Sequence, residues 1–247
     1  MHRAPETVQP GAFVAILRLL SITNAADESA FTRPILVALG LVSMAFAAVF
    51  MVRQKDIKRM LAYSSVEHMG ILVLGAGCGG LALFGALLHQ LNNALTKAVM
   101  FLSVGNIHRA YGSKHTDDVR GALGRVPVSA SLFLVAFLAI TGAPPFGPFV
   151  SEFTIARATF ADGSFTVGGL YLALLMAVFL GMGSTVLAVV QGEPPAPTAT
   201  ASHRCDRPAL VLPIALSLLL VLLLGVYLPP PLRELLEQAA AHIGGGR

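Results

Sequence analysis

Charge is what this chain has least of. Only 12% of its 247 residues are charged, while 55% are hydrophobic. Soluble domains carry about a quarter charged residues, so the shortage excludes a disordered tail, a collagen-like rod and most soluble enzymes. Cysteine is almost absent too. Cys78 and Cys205 stand alone, without a CxxC pattern, which excludes a disulfide scaffold and a cysteine zinc site. There is no Cys or His cluster for a redox centre and no glycine-rich nucleotide loop, so the sequence implies no cofactor and no metal. The group His108, His115, Asp117 and Asp118 reads as a solvated loop. What the chain does have is apolar length, with a mean hydropathy of +0.74. Its main solvent is lipid.

Charge-free runs set the organisation. Residues 34–52, 126–151, 167–190 and 208–232 carry no charge, and each is long enough for a helix to cross a hydrocarbon core of about 20 residues. Residues 60–107 are interrupted only by Glu67, His68, His89 and Lys97, and are too long for one crossing. The glycines Gly75, Gly77, Gly79 and Gly80 mark a turn that divides this stretch into two helices. The expectation is an all-α, polytopic membrane helix bundle of about six spans, one of them broken. Its parts are an N-terminal remnant and loop (1–33), a channel-like repeat (34–190), a Pro/Ala/Thr linker (191–207) and a C-terminal span with an amphipathic tail (208–247). Met1–Pro10 is too polar for a span, and Gly11–Ile22 is too short for one; it reads as the tail of a helix that starts earlier. Leu232, Leu235, Leu236, Ala239 and Ile243 have helical spacing. They fit a short helix at the interface or on a partner subunit.

The net charge of +4 raises nucleic acid as a partner, but the placement of the basic residues answers it. Loops 53–59, 108–127 and 191–207 hold ten Lys and Arg, and the opposite side holds four: Arg33, Arg157, Arg233 and Arg247. Basic loops stay in the cytoplasm. The expected partner is the bilayer rather than nucleic acid, with the C-terminus outside a plasma membrane.

A few ionisable residues stay in the apolar runs. A charge at mid-bilayer costs at least about 2.5–3.5 kcal/mol, so such groups face a bundle interior or water. His89, Asn93 and Lys97 fall at i, i+4 and i+8, one face of one helix, with steps of about 6 Å. Asn92 and Thr96 widen that face. Ser64, Ser65, Glu67 and His68 form a second patch on the preceding helix, where Glu67 and His68 point about 100° apart. One of that pair is expected to face the lysine row and the other a neighbouring subunit or the turn; Glu67 is equally readable as a partner of Lys55 and Lys58. The third element is TGAPPFGPFVSEF, residues 141–153. Its three prolines break a helix at membrane depth, a device used where backbone lines an ion site, and Glu152 follows the break. Groups that give and take protons in a row form a proton relay. Asn and His used merely as interhelical glue are the plainer reading.

The runs DIKRMLAYSSVEHMG (56–70), HQLNNALTKAVMFLSVGN (89–106) and TGAPPFGPFVSEF (141–153) resemble the antiporter-like membrane subunits of respiratory complex I, of energy-conserving hydrogenases and of Mrp sodium/proton antiporters. The hydrogenase-4 component F type and the complex I subunit M type are most similar. The resemblance covers residues 11–190 or so. It implies a hydrophilic axis along the membrane midplane, with Lys97 as its central lysine, His89 and His68 as relay histidines and Glu152 as the terminal carboxylate. Asn93 stands where many members have histidine, and Glu67 replaces a small polar residue. Members are roughly twice as long, with two inverted repeats. The chain therefore reads as the second repeat of a split-gene product, a truncated frame or a fragment.

These readings imply a proton-translocating subunit, a second half-channel, in a bacterial or archaeal redox complex of hydrogenase-4 or NADH:quinone oxidoreductase type. It holds no redox centre itself. Its expected partners are the other membrane-arm subunits and a separate polypeptide carrying the first repeat. The alternatives are a stand-alone or Mrp-like cation/proton antiporter and a non-conducting structural spacer.

Overall fold

A computed structural model describes residues 8–52, 54–192 and 206–245. Most of Met1–Pro10, most of the 191–207 linker and Cys205 lie outside the described residues. The described chain is all-α: α1 (Val8–Ala25), α2 (Ser29–Met51), α3 (Ile57–Cys78), α4 (Gly80–Tyr111), the single turn α5 (Ala122–Arg125), α6 (Pro127–Ile140), α7 (Gly147–Ala161), α8 (Phe165–Gln191), α9 (Pro208–Val226) and α10 (Pro230–Gly244). No strand occurs among the described residues; one isolated bridge joins Asp56 to His115.

Three helices, α2, α8 and α9, are long and apolar enough to cross a membrane. Much of their surface faces outward, as in the α2 stripe of Phe31, Ile35, Leu39, Val42, Phe46 and Val49. A lipid solvent makes that exposure favourable. The equally long α3 and α4 are different, because they turn their polar residues inward. At helical rise α4 is about 48 Å long, and it touches α3, α6, α7, α9 and α10. It is the hub of the bundle.

Small residues bring backbones together. A Cβ at Gly40 of α2 would meet the Gly70 carbonyl oxygen of α3 at 2.7 Å, and a Cβ at Gly70 would meet the Gly40 oxygen equally closely. Close backbone approach of this kind drives helix association in lipid. The α3–α4 reversal is tighter than the glycine cluster implied. It occupies Gly79 (φ 75°) and Gly80 (φ 47°) alone, while Gly75 and Gly77 lie inside α3, packed on α4 and α2.

The charge-free run 126–151 is two helices. Thr141 to Phe146 separate α6 from α7, and a cis bond joins Pro144 to Pro145. α6 closes in a Schellman turn: Ala143 N–H donates to the Leu138 carbonyl (2.9 Å), Gly142 N–H to Ala139 (3.3 Å), and Gly142 adopts φ 70°. The run 208–232 is also broken. α9 stops at Val226, and α10 starts at Pro230 and packs on α1 and α4 of the same chain. Part of the apolar side of this tail packs internally, with Ala240 and Ile243 against Phe13, Leu17 and Leu20 of α1, while Leu235 stays exposed.

The bundle has two distinct ends. At one, Lys55 pairs with Asp117, Lys114 pairs with Asp56, and Asp206 accepts from Val128 and Ser129. At the other, the α1–α2, α3–α4 and α7–α8 turns gather, and Asn24 and Arg33 bond the last carbonyls of α10.

Candidate functional site

The site lies between α3, α4 and α7. Glu67 and His68 from α3, His89, Asn92, Asn93 and Lys97 from α4, and Ser151 and Glu152 from α7 are all buried. The sequence reading turned one of Glu67 and His68 to the lysine row and the other to a neighbouring subunit or the turn; both are buried within the chain, 4% and 1% exposed. The inward side of α3 is wide because α2 packs across its outer flank through Gly70. Lys55 bonds Asp117 rather than Glu67.

The histidines form a wire. His68 Nδ1 lies 3.0 Å from His89 Nε2, and His89 Nδ1 lies 3.0 Å from Ser151 Oγ. Each contact uses a different ring nitrogen, so a proton taken on one side of a ring is matched by a proton released from the other. His68 Nε2, at the free end of this wire, is buried with no protein partner among the described residues. Ligand atoms of His68, His89 and Glu152 lie within 4.8 Å of one another. Two imidazoles and a carboxylate form a donor set that suits zinc.

Lys97 stands near the middle of α4. Its ammonium donates to Ser65 Oγ on α3, and its charge acts on Glu67, His68 and His89. Both Asn92 side-chain atoms and Asn93 Oδ1 are buried without a protein partner among the described residues. Buried polar atoms of this kind are normally satisfied by ordered water. The row is therefore polar from Ser65 to Ser151, with direct contacts at both ends and hydrogen-bonding capacity left over between them.

The helix break positions the carboxylate. Glu152 lies six residues into α7, and its carboxylate rests against Gly142, so closely that a Cβ there would run into it. Asn92 lies against Gly147, the first residue of α7, in the same manner. The glycines of the break leave room for the two side chains.

Three participants have no clear sequence signal. Ser64 and Ser65 belong to one patch of the sequence, about 100° apart on the helix; both bond Leu61 of their own helix, and the spacing does not say that Ser65 is the one to meet Lys97. Ser151 was visible only as the neighbour of Glu152. Tyr171 of α8, fully buried with an unpartnered hydroxyl, sits in an apolar run like any membrane aromatic.

The family model of the NADH:quinone oxidoreductase/Mrp antiporter transmembrane region matches residues 7–186. The chain belongs to this family. It is 36% identical over 227 residues to a hydrogenase-4 component F homologue of Methylacidiphilum infernorum, covering 90% of this chain and 46% of that one. It is 25% identical to a chain of respiratory complex I from Thermus thermophilus, with a TM-score of 0.78 over 90% of this chain and 47% of that one. A chain of the Mrp complex from Dietzia sp. shares the fold, at TM-score 0.81 and 19% identity, over 94% of this chain and 50% of that one. The chain thus spans about half the length of the relatives it matches. As a member of this family the chain carries its runs 56–70, 89–106 and 141–153 on α3, on α4 and across the break into α7, and these three helices pack on one another.

Proposed function

We propose that this antiporter-type subunit provides the second half-channel for protons in a redox-driven membrane complex of hydrogenase-4 or NADH:quinone oxidoreductase type. The observation that carries the reading is the buried row from Lys97 and Ser65 through His68 and His89 to Ser151 and Glu152. Structural glue needs one hydrogen bond per pair of helices. It does not need a lysine, two histidines and two carboxylates in one buried seam, where each unpaired charge is costly.

In this reading Lys97 is the reservoir. Its ammonium releases a proton toward the seam, His68 takes it at Nε2 and passes its Nδ1 proton to His89, and His89 passes its own toward Ser151 and Glu152. Asn92 and Asn93 hold water in the row. Each transfer leaves the donor ready to be reloaded once the rings reset their tautomers. A change of charge in an adjoining subunit biases the row between its loaded and unloaded arrangements, which is the coupling. Partners are the other membrane-arm subunits and a polypeptide supplying the first repeat. The charge of the basic loops supports a topology with the Asp56–Lys114 end in the cytoplasm of a bacterial or archaeal cell and the C-terminus outside.

The test is proton pumping by the assembled complex in proteoliposomes with Lys97→Ala or Glu152→Gln. Loss of pumping in both supports the reading, and full pumping by both variants overturns it. The Mrp likeness makes sodium/proton exchange the second reading. Pumping that persists without sodium and requires redox turnover decides for the first.

A further inference from the structure

The row ends at Glu152, buried, and a relay needs a way out. Tyr171 offers one. Its ring belongs to the apolar cluster of Met44, Ile71, Leu74, Ile155 and Ala156, and Cys78 and Val167 pack against the same cluster. Its hydroxyl is buried, has no protein partner among the described residues and lies within electrostatic reach of Glu152, Glu67 and Cys78. A tyrosine hydroxyl inside a core normally finds a partner. At the edge of the same cluster, Cys78 Sγ lies 3.8 Å from Thr159 Oγ1. Cys78, Thr159 and Val167 line a cavity of about 520 Å³ whose wall also holds Arg33, Asp162 and Ser164. Asp162 and Ser164 are exposed at the α7–α8 turn, so the cavity opens at the end of the bundle away from the basic loops.

The register of α7 fits this route. Glu152 and Thr159 are seven residues apart, two turns of one helix face and about 10 Å along the axis. Ile155 and Ala156, between them on that face, belong to the same buried cluster as the phenol. Tyr171 therefore lies beside the gap between the buried carboxyl and the cavity.

We propose that protons leave the row at Glu152 through the Tyr171 hydroxyl and the Cys78–Thr159 pair into this cavity. The proposal rests on the relay reading given above. In the step, the Glu152 carboxyl O–H gives its proton to the phenol oxygen as the phenol O–H passes its own to a water at the Cys78–Thr159 side. Glu152 becomes a carboxylate, Tyr171 is unchanged, and the proton reaches the Asp162 mouth. Tyr171 conducts; it stores nothing.

Tyr171→Phe removes one oxygen and keeps the ring. In proteoliposomes of the assembled complex it is expected to slow proton pumping about a hundredfold, the lower end of the scale for losing a positioned proton donor, and to enlarge the solvent deuterium isotope effect. Unchanged pumping with an unchanged isotope effect overturns the route. Lys97→Ala, measured alongside, separates the two ideas. Loss there with wild-type behaviour in Tyr171→Phe defeats the route alone, and no loss in Lys97→Ala defeats the relay. A second measurement needs no variant. A membrane-impermeant thiol reagent, applied from the side of the Asp162 mouth, is expected to modify Cys78, with pumping falling in proportion to the labelled fraction. Labelled Cys78 with full pumping, or Cys78 reached only from the other side, overturns the proposal.

Discussion

At the residue scale, single side chains here serve two helices at once. Asp56 caps α3, accepting from Lys58 and Arg59 N–H at 2.9 and 3.2 Å, and also pairs with Lys114 at 2.9 Å. Burial raises its pKa, but the Lys114 bond and the two backbone donors outweigh that and hold it below the ordinary 3.8. A depressed folded value means the contribution to stability is complete above the unfolded pKa and is lost as pH falls through the folded one. Asp56→Ala is therefore expected to cost about 0.5–2 kcal/mol at neutral pH, the range for a lost N-cap. Thermal unfolding in detergent checks it, and the gap between wild type and variant should close below about pH 4. The relay residues follow a different logic. Removing Lys97 takes away one buried charge but also the cation that acts on Glu67, so Lys97→Ala is expected to lose transport at some cost in stability.

At the element scale, the break between α6 and α7 turns two half-helices into a support for the site. Gly142 has φ 70° and lies against the Glu152 carboxylate. Gly142→Ala thus combines a left-handed backbone penalty of about 1–2 kcal/mol with displacement of the carboxylate. The expected result is impaired pumping in a complex that still assembles, read by proteoliposome assay against a blue-native gel. Gly70 acts differently, through packing alone. Gly70→Leu would force α2 from α3, and overpacking costs about 1–3 kcal/mol or more, so assembly itself should fall. Helix identity was legible in the runs of the sequence, as was the α6–α7 break in its prolines. The ends were less so. Gly75 and Gly77 looked like turn residues and are packing residues, because a glycine that opens a turn and one that admits a neighbouring backbone have the same composition signal.

At the scale of the whole molecule, the two ends of the bundle differ in charge and in construction. The basic end is tied by Lys55–Asp117, Lys114–Asp56 and the Asp206 contacts, whereas the other end is closed by α10 against α1 and α4. The proposed topology puts α10 outside. A protease site inserted after Gly245 should be cut in intact cells, and one in the 113–118 loop should be cut only after lysis. Exposed pairs such as Lys55–Asp117 contribute little to stability. Their use here is to hold the loops that join α2 to α3 and α4 to α6.

The sequence by itself determined the solvent, the helices and the chemical types of the site. Apolar run length, charge placement and proline are local properties, and a lipid environment leaves helices as the way to satisfy the backbone in such runs. It also put His89, Asn93 and Lys97 on one face, because helical spacing is fixed. Only the tertiary structure decided which groups meet. His68 faces His89 from another helix, Lys97 chooses Ser65 over Ser64, and Tyr171 joins Ile155 and Ala156 of α7 from α8. Asp206, far along the chain, supplies acceptors for the first N–H groups of α6, which has no side-chain cap of its own. Spacing fixes the angle of a residue on its own helix. The angle between helices is set by the small residues at their crossings, and no local pattern records it.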